Sequence, residues 1–341
     1  MSQGITANQH YVPQSYLKRF ATGEEQVYVF DKSLMKQFRT KIRNVASERY
    51  FYDASANEED EDADVQELEK LFQMVENHFI VAVDEIVSLV KEGRNMKPEQ
   101  KTAMAYFLHV QQTRTRKIRN RQKEMLDRML MNLIETQLKL RNYDLEDFDI
   151  AAEWDEKAVM NIQADMMFNY QEVEHFLERL LDHIWFIGIN ETDRALWTSD
   201  DPVVIRAHKY HSIMSMAGTA SKGVEIAFPL TPKMILILFE RTFHKDLANR
   251  PYEHIMLNEE DVAYYNEMQV EQSRRQIFSS GEDFAIAQSL CQQHPELRDP
   301  ERPQTQVNEL KIDGMDIVQA KSVGAVLKRP RRFQDVGRRW M

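Results

Sequence analysis

The sequence is poor in the residues on which several protein classes depend. It has one cysteine, Cys291, and ten glycines among 341 residues. A single cysteine excludes both a disulfide framework and a zinc site built from cysteines. Ten glycines are too few for the many tight turns of a β-barrel or a β-propeller.

Long apolar runs and familiar catalytic signatures are missing as well. The longest apolar run, MILILF at 234–239, is far shorter than the about 20 residues of a membrane-spanning helix, and the N-terminus has no apolar signal-peptide core. The sequence also lacks G-x-x-x-x-G-K-S/T, G-x-G-x-x-G, H-E-x-x-H and G-x-S-x-G. These absences argue against a nucleotide-driven motor, a Rossmann dehydrogenase or a common zinc protease. We expect a soluble, cytoplasmic protein without a membrane partner.

Charge is unevenly distributed along the chain. The net charge is −11, so the molecule as a whole is not a general binder of polyanions. Residues 321–341 nevertheless contain seven Lys or Arg against one Asp, and residues 58–64 contain six acids. We interpret the acidic run as a solvated loop, because a calcium loop would need a glycine within it.

Periodicity divides the first half of the chain into strand-like and helical regions. Residues 26–30 and 36–40 have strand character and flank a turn-like segment, which predicts a hairpin. Apolar residues then recur every three or four positions, which predicts helices. The predicted helices are 65–92, 98 to about 140 (which a break could interrupt) and 156–184.

The C-terminal third is predicted to contain a sheet and a further helix. Residues 184–190, 195–206 and 224–240 change to a period of two, and we expect them to form strands of one antiparallel sheet. Asn258 is a suitable N-cap and Gly281 a suitable end for a helix over 258–280.

These patterns predict an α+β fold, a mostly helical single domain with a small N-terminal hairpin module and an antiparallel sheet in the C-terminal third. The predicted domain covers 8–303, and a flexible basic tail covers 304–341. Within the domain we expect, in order, a strand-rich module (8–53), an acidic loop (54–64), a helical region (65–184), the sheet (185–240) and C-terminal helices (258–290).

Polar residues interrupt two apolar segments in the first half of the chain. His10 and Gln14 lie on either side of Pro13, which fixes the bend between them. His10 is either a general base or ligand, or a histidine that hydrogen-bonds the first helix. Gln111 and Arg114 fall in the middle of the apolar stripe predicted for the long central helix.

Arg114 and the segment TSDDP (198–202) are candidates for one polar cluster. A buried arginine needs a carboxylate or an anionic ligand. Asp200 or Asp201 is the expected partner in a structural pair, and the alternative is a guanidinium that receives a phosphate or carboxylate. Ser199 and Asp200 are interpreted either as turn-forming residues or as an acid or metal-ligand station. Neighbouring strand residues point to opposite faces, so one of the two acids serves the site, and we choose Asp200.

Asn266 and Gln269 lie one helical turn apart on a predicted inner face. Each side chain can donate and accept, which suits either a core network or recognition of a polar ligand. Because buried polar groups are hydrogen-bonded, we expect the polar residues of all four segments to meet in one composite pocket.

The segment RTRKIRNRQK (114–123) contains six basic residues and no acid. Helical geometry spreads these residues over several faces. We interpret them either as a solvated face balanced by acids elsewhere in the protein, or as a stripe that follows the phosphates of a ligand.

Seven short segments carry a family resemblance. They are HYVPQSYLKRF (10–20), VYVFDK (27–32), IRNVASERYFY (42–52), QQTRT (111–115), WTSDDPV (197–203), FPLTP (228–232) and YYNEMQ…IFSS (264–280). In this order they resemble a bacterial family catalogued as domain of unknown function 4238, over roughly residues 8–280. The opening H-Y-V-P-Q-x-Y-L is the most specific part. The resemblance implies a shared architecture and shared motifs, but no mechanism.

We predict from these observations an enzyme, a hydrolase or nuclease that acts on a phosphate-bearing substrate, with nucleic acid or a phosphorylated small molecule as its partner. The predicted catalytic residues are His10 as general base or ligand, Asp200 to orient it or to help bind a divalent metal ion, and Arg114 to stabilise negative charge. The predicted substrate-binding residues are Gln14, Gln111, Ser199, Asn266 and Gln269. The alternative is a non-catalytic ligand-binding or interaction protein whose polar cluster is structural.

Overall fold

Helices and strands interleave along the chain in the computed structural model. The structure describes residues 8–49, 67–143, 154–209, 218–250 and 252–303, and the backbone of 305–312 and 315–322. The helices are α1 (Gln14–Leu17), α2 (Glu67–Lys91), α3 (Pro98–Thr113), α4 (Arg116–Leu140), α5 (Glu156–Phe168), α6 (Tyr170–Leu181), α7 (Glu259–Gln272) and α8 (Ala285–Gln293). The strands are β1 (Asn8–His10), β2 (Gln26–Asp31), β3 (Lys36–Lys41), β4 (Ser47–Arg49), β5 (Ile184–Asn190), β6 (Thr198–Ser199), β7 (Val204–Ala207), β8 (Val224–Thr231), β9 (Met234–Phe239), β10 (His254–Leu257), β11 (Gln276–Ser279), β12 (Thr305–Ile312) and β13 (Met315–Ser322).

The described strands form two main sheets, and together with the helices they confirm the predicted α+β class. A five-stranded sheet has the order β10-β5-β9-β8-β7, and a four-stranded sheet has the order β3-β2-β11-β6. The predicted N-terminal hairpin is the β2–β3 pair, in which Gln26 lies opposite Lys41. Two smaller pairs, β1–β4 and β12–β13, are also present.

Two of the predicted helices are each divided in two. The helix predicted from 98 to about 140 is interrupted after Arg114, because Thr115 is extended (φ −73°, ψ 153°) and caps α4 by accepting from the N–H of Ile118. The helix predicted over 156–184 is interrupted at Asn169, which is extended and caps α6 with its side-chain oxygen. The second break was not predicted, because the apolar period continues across it.

The sheet region differs from its prediction in three respects. Residues 195–206 form two strands in different sheets, because β6 pairs with β11 whereas β7 pairs with β8. Strand β10 runs parallel to β5, so the larger sheet is mixed. The helix predicted over 258–280 ends at Gln272, and residues 276–279 form β11 between β2 and β6. The predicted helix length is therefore wrong by two turns.

Tyr16 joins the N-terminal module to both sheets. Its ring stacks on Phe228 with centroids 4.9 Å apart and meets Phe20 edge-on at 5.4 Å. Its hydroxyl lies 2.7 Å from Thr198 Oγ1 and donates to the carbonyl of Pro229, also at 2.7 Å. Since Tyr16 is fully buried, these two hydrogen bonds satisfy a group that would otherwise be costly to bury.

Some sequence predictions fall outside the described residues, namely the acidic run 58–64 and the basic residues 323–341. Residues 305–312 and 315–322, which were predicted to belong to a flexible tail, form the antiparallel pair β12–β13. Among the residues that the structure describes, no helix is both long enough and apolar enough to cross a bilayer. The division into one domain and a tail stays a prediction.

Candidate functional site

The first turn of the chain carries His10 and Gln14 on a well-anchored bend. Strand β1 pairs with β4, and the N–H of Tyr11 donates to the carbonyl of Ala46 at 3.0 Å. Pro13 (φ −57°, ψ 138°) then directs the chain into α1, with the φ that its ring imposes. The two polar side chains on either side of the bend therefore have a defined relative position.

His10 is a half-buried imidazole with one unsatisfied nitrogen. Its Nδ1 lies 3.5 Å from Nε2 of Gln14, while its own Nε2 is buried without a hydrogen-bond partner. Burial lowers the pKa of His10, a hydrogen bond between its imidazole and the backbone of Arg43 opposes this shift, and the charge of Arg114 lowers the pKa further. The imidazole is therefore neutral at pH 7, the form that accepts a proton or binds a metal.

Arg114 is buried where the backbone breaks between α3 and α4. Its Nε donates to the carbonyl of Tyr11 at 2.9 Å, and its Nη1 forms an ion pair with Glu76 Oε1 at 3.1 Å. The guanidinium also lies over the ring of Phe72, 5.0 Å from the centroid. Gln111 donates to the same Tyr11 carbonyl at 3.0 Å, and its Oε1 is buried without a partner. Gln111 and Arg114 therefore meet at the carbonyl of Tyr11, the residue that follows His10.

Glu76 was missed by the sequence analysis. Besides Arg114, it accepts a hydrogen bond from the Ser15 hydroxyl at 3.3 Å, and its side chain remains 22% exposed. A signal was present, because Glu76 follows Phe72 by four residues and precedes Phe79 by three, which places it on the apolar face of α2. An acid at such a position needs a buried partner.

The predicted pairing of Arg114 with Asp200 or Asp201 is wrong. Arg114 forms its ion pair with Glu76, and Asp201 pairs with Lys117 at 2.6 Å. The two carboxylates of TSDDP point in different directions, as expected for neighbouring residues of an extended segment. The acid that reaches Arg114 comes from a helix instead.

Asp200 binds the turn that follows α7. Its two oxygens accept hydrogen bonds from the backbone N–H groups of residues 274–276 at 2.7–2.8 Å. Burial raises the pKa of Asp200, and the charge of Lys32 and these N–H groups oppose that effect. Three donors on one carboxylate are typical of a turn-forming aspartate. Of the two interpretations of TSDDP, the geometry therefore favours turn chemistry.

Three basic side chains from distant segments cover the carbonyl end of α7, where the helix dipole favours positive charge. Lys32 is fully buried, and burial lowers its pKa to about 7. The hydrogen bonds are those of Lys32 Nζ to Val270 (2.8 Å) and Ser273 (2.7 Å), Lys117 Nζ to Gln272 (2.9 Å), and Arg302 Nη2 to Glu271 (3.1 Å) and Ser273 (2.7 Å).

Ser199, Asn266 and Gln269 form internal hydrogen bonds that join α7 to the 195–202 segment. Ser199 donates to Gln269 Oε1 at 2.7 Å, and Gln269 Nε2 donates to the carbonyl of Pro202 at 2.9 Å. Asn266 accepts from the N–H of Trp197 at 2.8 Å and also donates to a carbonyl of the same segment. All three side chains are fully buried. This geometry is that of a core network, and substrate binding by these residues stays a prediction.

Tyr11 lies between the two groups of polar residues. Its carbonyl holds Arg114, whereas burial and the charge of Asp200 raise the pKa of its phenol. The predicted composite pocket therefore appears in the structure as two polar clusters. We call His10, Gln14, Glu76, Gln111 and Arg114 the His10 cluster, and Ser199, Asp200, Asn266 and Gln269 the Asp200 cluster.

Acids of the protein balance much of the basic segment 114–123. Besides the pairs of Arg114 and Lys117, Lys123 pairs with Asp127 at 2.9 Å, Arg116 pairs with Glu48, and Arg119 donates to Gln163. This pattern favours the first interpretation of residues 114–123, a basic surface balanced by acids of the protein. It argues against a stripe of free cations that would follow the phosphates of a ligand.

A further polar cluster, around Glu225, was not found from the sequence. This fully buried carboxylate on β8 accepts hydrogen bonds from His208 Nε2 (2.7 Å) and from the hydroxyls of Tyr264 and Tyr265 (2.9 Å each). Burial acts to raise the pKa of Glu225, but the hydrogen bonds outweigh it and hold the pKa below its usual value. A signal was present in the sequence, because Glu225 is the only acid in the apolar run VEIAF (224–228) and so was expected to need buried partners.

Metal-ligating side chains are sparse in the described part of the chain. No group of three or more His, Cys, Asp or Glu residues lies close enough there to hold a metal ion. The divalent ion predicted to accompany His10 and Asp200 has no such group of ligands among these residues. The chemistry available to the His10 cluster is that of a neutral imidazole, a guanidinium, two amides and a carboxylate.

Fold and site define an α+β protein that contains a half-buried imidazole close to a buried guanidinium, and a second, buried cluster whose polar groups are hydrogen-bonded internally. A family model described as "Protein of unknown function (DUF4238)" matches residues 8–283. The chain belongs to this family, as its N-terminal motif and the order of its segments predicted. No curated protein and no solved structure matches the chain.

Proposed function

We propose that the protein is a hydrolase that acts on a phosphate-bearing substrate at the His10 cluster. The proposal is carried by one observation, a neutral imidazole whose buried Nε2 has no partner, next to a buried guanidinium. A neutral imidazole can take a proton from water, and a guanidinium stabilises charge on phosphoryl oxygens. Buried polar atoms without partners are uncommon in proteins and call for an explanation such as a bound ligand.

In the proposed reaction His10 accepts the proton of the attacking water at Nε2. The water oxygen bonds to phosphorus as the P–O bond to the leaving alcohol breaks, and the imidazolium then returns the proton to the alcohol oxygen. Proton acceptance at Nε2 requires the tautomer with hydrogen on Nδ1. In the structure Nε2 of Gln14 faces Nδ1 and would favour the other tautomer, so the reaction requires the Gln14 amide to turn and present Oε1 to Nδ1. Arg114 balances the negative charge that develops on the phosphoryl group. Glu76 holds Arg114 in position, and Gln111 offers an acceptor for a hydroxyl of the substrate.

Asp200 has a supporting part in this proposal. Its oxygens are occupied by the 274–276 turn, so it stabilises the framework and does not orient His10. No step of the reaction passes through a metal ion.

A phosphorylated small molecule suits the site better than nucleic acid. A nucleic acid needs several cations along its backbone, and acids of the protein pair with Arg116, Lys117 and Lys123. The small-molecule version therefore comes first, and nucleic acid is the second substrate class to test.

The test compares His10→Asn with His78→Asn on phosphomonoesters, phosphodiesters, RNA and DNA. His78 is the matched control, since it is exposed on α2 and bonds only the Met74 carbonyl among its described contacts. We expect kcat to fall about 100-fold or more for His10→Asn and to be unchanged for His78→Asn. Equal kcat in the two variants, or no turnover of any of the substrates by the wild-type protein, contradicts the proposal.

The second candidate is a non-catalytic ligand-binding or interaction protein. The Asp200 cluster supports it, because the polar motif residues there hydrogen-bond one another and the backbone. Titration with inorganic phosphate and with nucleoside monophosphates separates the two candidates. Binding that His10→Asn weakens, without turnover, would support the second candidate.

A further inference from the structure

The second half of α4 extends beyond the helix that packs against it. Near the start of α4, Arg119 donates to Gln163 of α5 at 2.8 Å. Farther along, the carbonyl of Leu126 accepts at 3.0 Å from the indole of Trp154, which lies two residues before α5. Helix α5 therefore runs antiparallel to α4 and begins beside Leu126. Residues 127–140 continue past this point for about 21 Å of helix.

One face of α4 is buried in the first half of the helix and exposed in the second. Gln122 is buried on this face. The large apolar residues that follow on the same face are spaced by four or seven positions, within about a quarter of the helix circumference. They are Met125 (42% exposed), Met129 (60%), Leu133 (58%) and Leu140 (71%), which we call the α4 stripe. A continuous apolar stripe at the surface marks an interaction site more often than isolated exposed side chains do.

Charged residues follow one flank of the α4 stripe. They are separated by four, seven and four positions and so lie on the same side of the helix, and they are Glu124, Arg128, Glu135 and Lys139. Their charges have opposite signs at equal distances from the midpoint between residues 131 and 132. Two copies of α4 that pack antiparallel about this midpoint therefore place Arg128 opposite Glu135 at two points. The same arrangement places Glu124 opposite Lys139, whereas a parallel pair in register would place like charges together.

The apolar side chains fit together in the same antiparallel arrangement. At a rise of about 1.5 Å per residue, Met129 of one copy falls between Leu133 and Thr136 of the other. Met125 falls between Thr136 and Leu140 in the same way. We propose that the α4 stripe joins two copies of this chain into an antiparallel homodimer. The charge pattern selects a second copy as the partner, because the flank is complementary to its own reverse.

The contact is small and separate from the His10 cluster. About 24 Å of two paired helices is less than a standard protein–protein interface, so we expect a dissociation constant on the order of 10 µM. No residue of the α4 stripe belongs to the His10 cluster, and the dimer does not depend on the proposed hydrolase activity. Its test therefore measures mass and not turnover.

The first experiment is sedimentation equilibrium of the full chain from about 1 to 200 µM, a range that brackets the expected dissociation constant. We expect a monomer–dimer equilibrium. In Met129→Ser the dissociation constant should rise at least about tenfold, because a central apolar contact is lost from both helices. Met74→Ser is the matched control, since Met74 lies on α2 and is 59% exposed, close to the exposure of Met129. Its dissociation constant should equal that of the wild-type chain.

The second experiment reverses the charges beside the α4 stripe. Arg128→Glu or Glu135→Arg alone places like charges together at two points of the dimer, so each variant should associate with itself at least about tenfold more weakly. An equimolar mixture of the two variants should regain the wild-type affinity. In the mixture each chain carries one sign at both positions and meets the opposite sign on the other chain. A contact through any other surface predicts no such recovery.

A melting curve of each variant shows whether the chain is folded, and Leu133→Ser takes the place of Met129→Ser if that variant unfolds. A wild-type chain that stays monomeric over the whole concentration range overturns the proposal. Equal dissociation constants for Met129→Ser and Met74→Ser overturn it as well. The same holds for a mixture of the two charge variants that associates no more tightly than either variant alone.

Discussion

The His10 cluster and the Asp200 cluster both consist of polar residues from several segments of the chain. They differ in how completely their polar side-chain atoms are hydrogen-bonded. Asp200 is buried and receives three backbone hydrogen bonds, and Asn266 and Gln269 are bonded through both ends of their amides. In the His10 cluster, His10 and Gln111 each keep a buried polar atom without a partner.

This difference separates structural from functional roles better than residue type does. A polar side chain whose hydrogen bonds all end inside the protein stabilises the fold, because removing it leaves buried groups unpaired. A side chain with an unused buried atom costs stability, and a ligand is one explanation for its presence. Replacing residues of the two clusters should therefore have opposite consequences for stability and activity.

The largest effect on stability is expected for Asp200→Ala. The change leaves the three N–H groups of residues 274–276 without their acceptor in a half-buried turn and removes a buried carboxylate, so the free energy of unfolding should fall by about 3 kcal/mol. Urea unfolding followed by circular dichroism measures this. A loss below about 1 kcal/mol would show that the turn does not depend on Asp200.

A smaller effect is expected for Tyr16→Phe. The fully buried hydroxyl bonds Thr198 and Pro229, and its removal leaves both without that partner. The free energy of unfolding should fall by about 2 kcal/mol. Tyr170→Phe is the control, since Tyr170 is 74% exposed and its hydroxyl should contribute little. If the two variants have the same midpoint of denaturation, Tyr16 does not anchor the module through its hydroxyl.

Lys32 should give the Asp200 region a distinct pH dependence. Its pKa is lowered to about 7 from a usual value of 10.5, so between these values the unfolded chain binds a proton that the folded chain does not. Stability from this group therefore rises with pH across that window, by at most about 1.4 kcal/mol per pH unit. Lys32→Met removes the contribution. Unfolding curves at pH 7, 8 and 9 should show a shallower rise for the variant, and identical slopes would contradict the assignment.

The smallest effect on stability, with a clear effect on activity, is expected at Gln14. This residue is half-buried, with one contact of 3.5 Å to His10, so Gln14→Ala should change the free energy of unfolding by less than about 0.5 kcal/mol. Under the proposed function its kcat should nevertheless fall, since the tautomer of His10 is no longer fixed. A melting temperature lowered as far as that of Tyr16→Phe would place Gln14 with the structural residues.

The pH dependence of activity in Gln14→Glu tests the role of His10 directly. The pKa of His10 lies below 6.5, so activity should rise as pH increases through that lowered value and His10 loses its proton. A carboxylate beside Nδ1 favours the protonated imidazole and raises its pKa. The acid limb of the pH–rate profile should therefore move to higher pH in the variant. An unmoved limb would mean that His10 is not the titrating base.

Much of the fold follows from the sequence alone. The apolar period of α2, the N-cap of α7 and the strand-forming residues of β2 and β3 are local signals, which depend on neighbours a few residues away. The N-terminal motif and the order of the seven segments likewise identified the family. Local signals also selected His10 and Gln14, because Pro13 makes their relation a matter of a few backbone angles.

The tertiary structure decided which polar residues meet. Arg114 pairs with Glu76 instead of Asp200, and the 276–279 segment forms a strand instead of a helix. Glu225 accepts hydrogen bonds from His208, which follows β7, and from Tyr264 of α7. Each outcome depends on long-range contacts that compete with local preference. Hydrogen bonding and burial are settled by whichever side chains the folded chain brings within about 3 Å, and sequence spacing does not encode that distance.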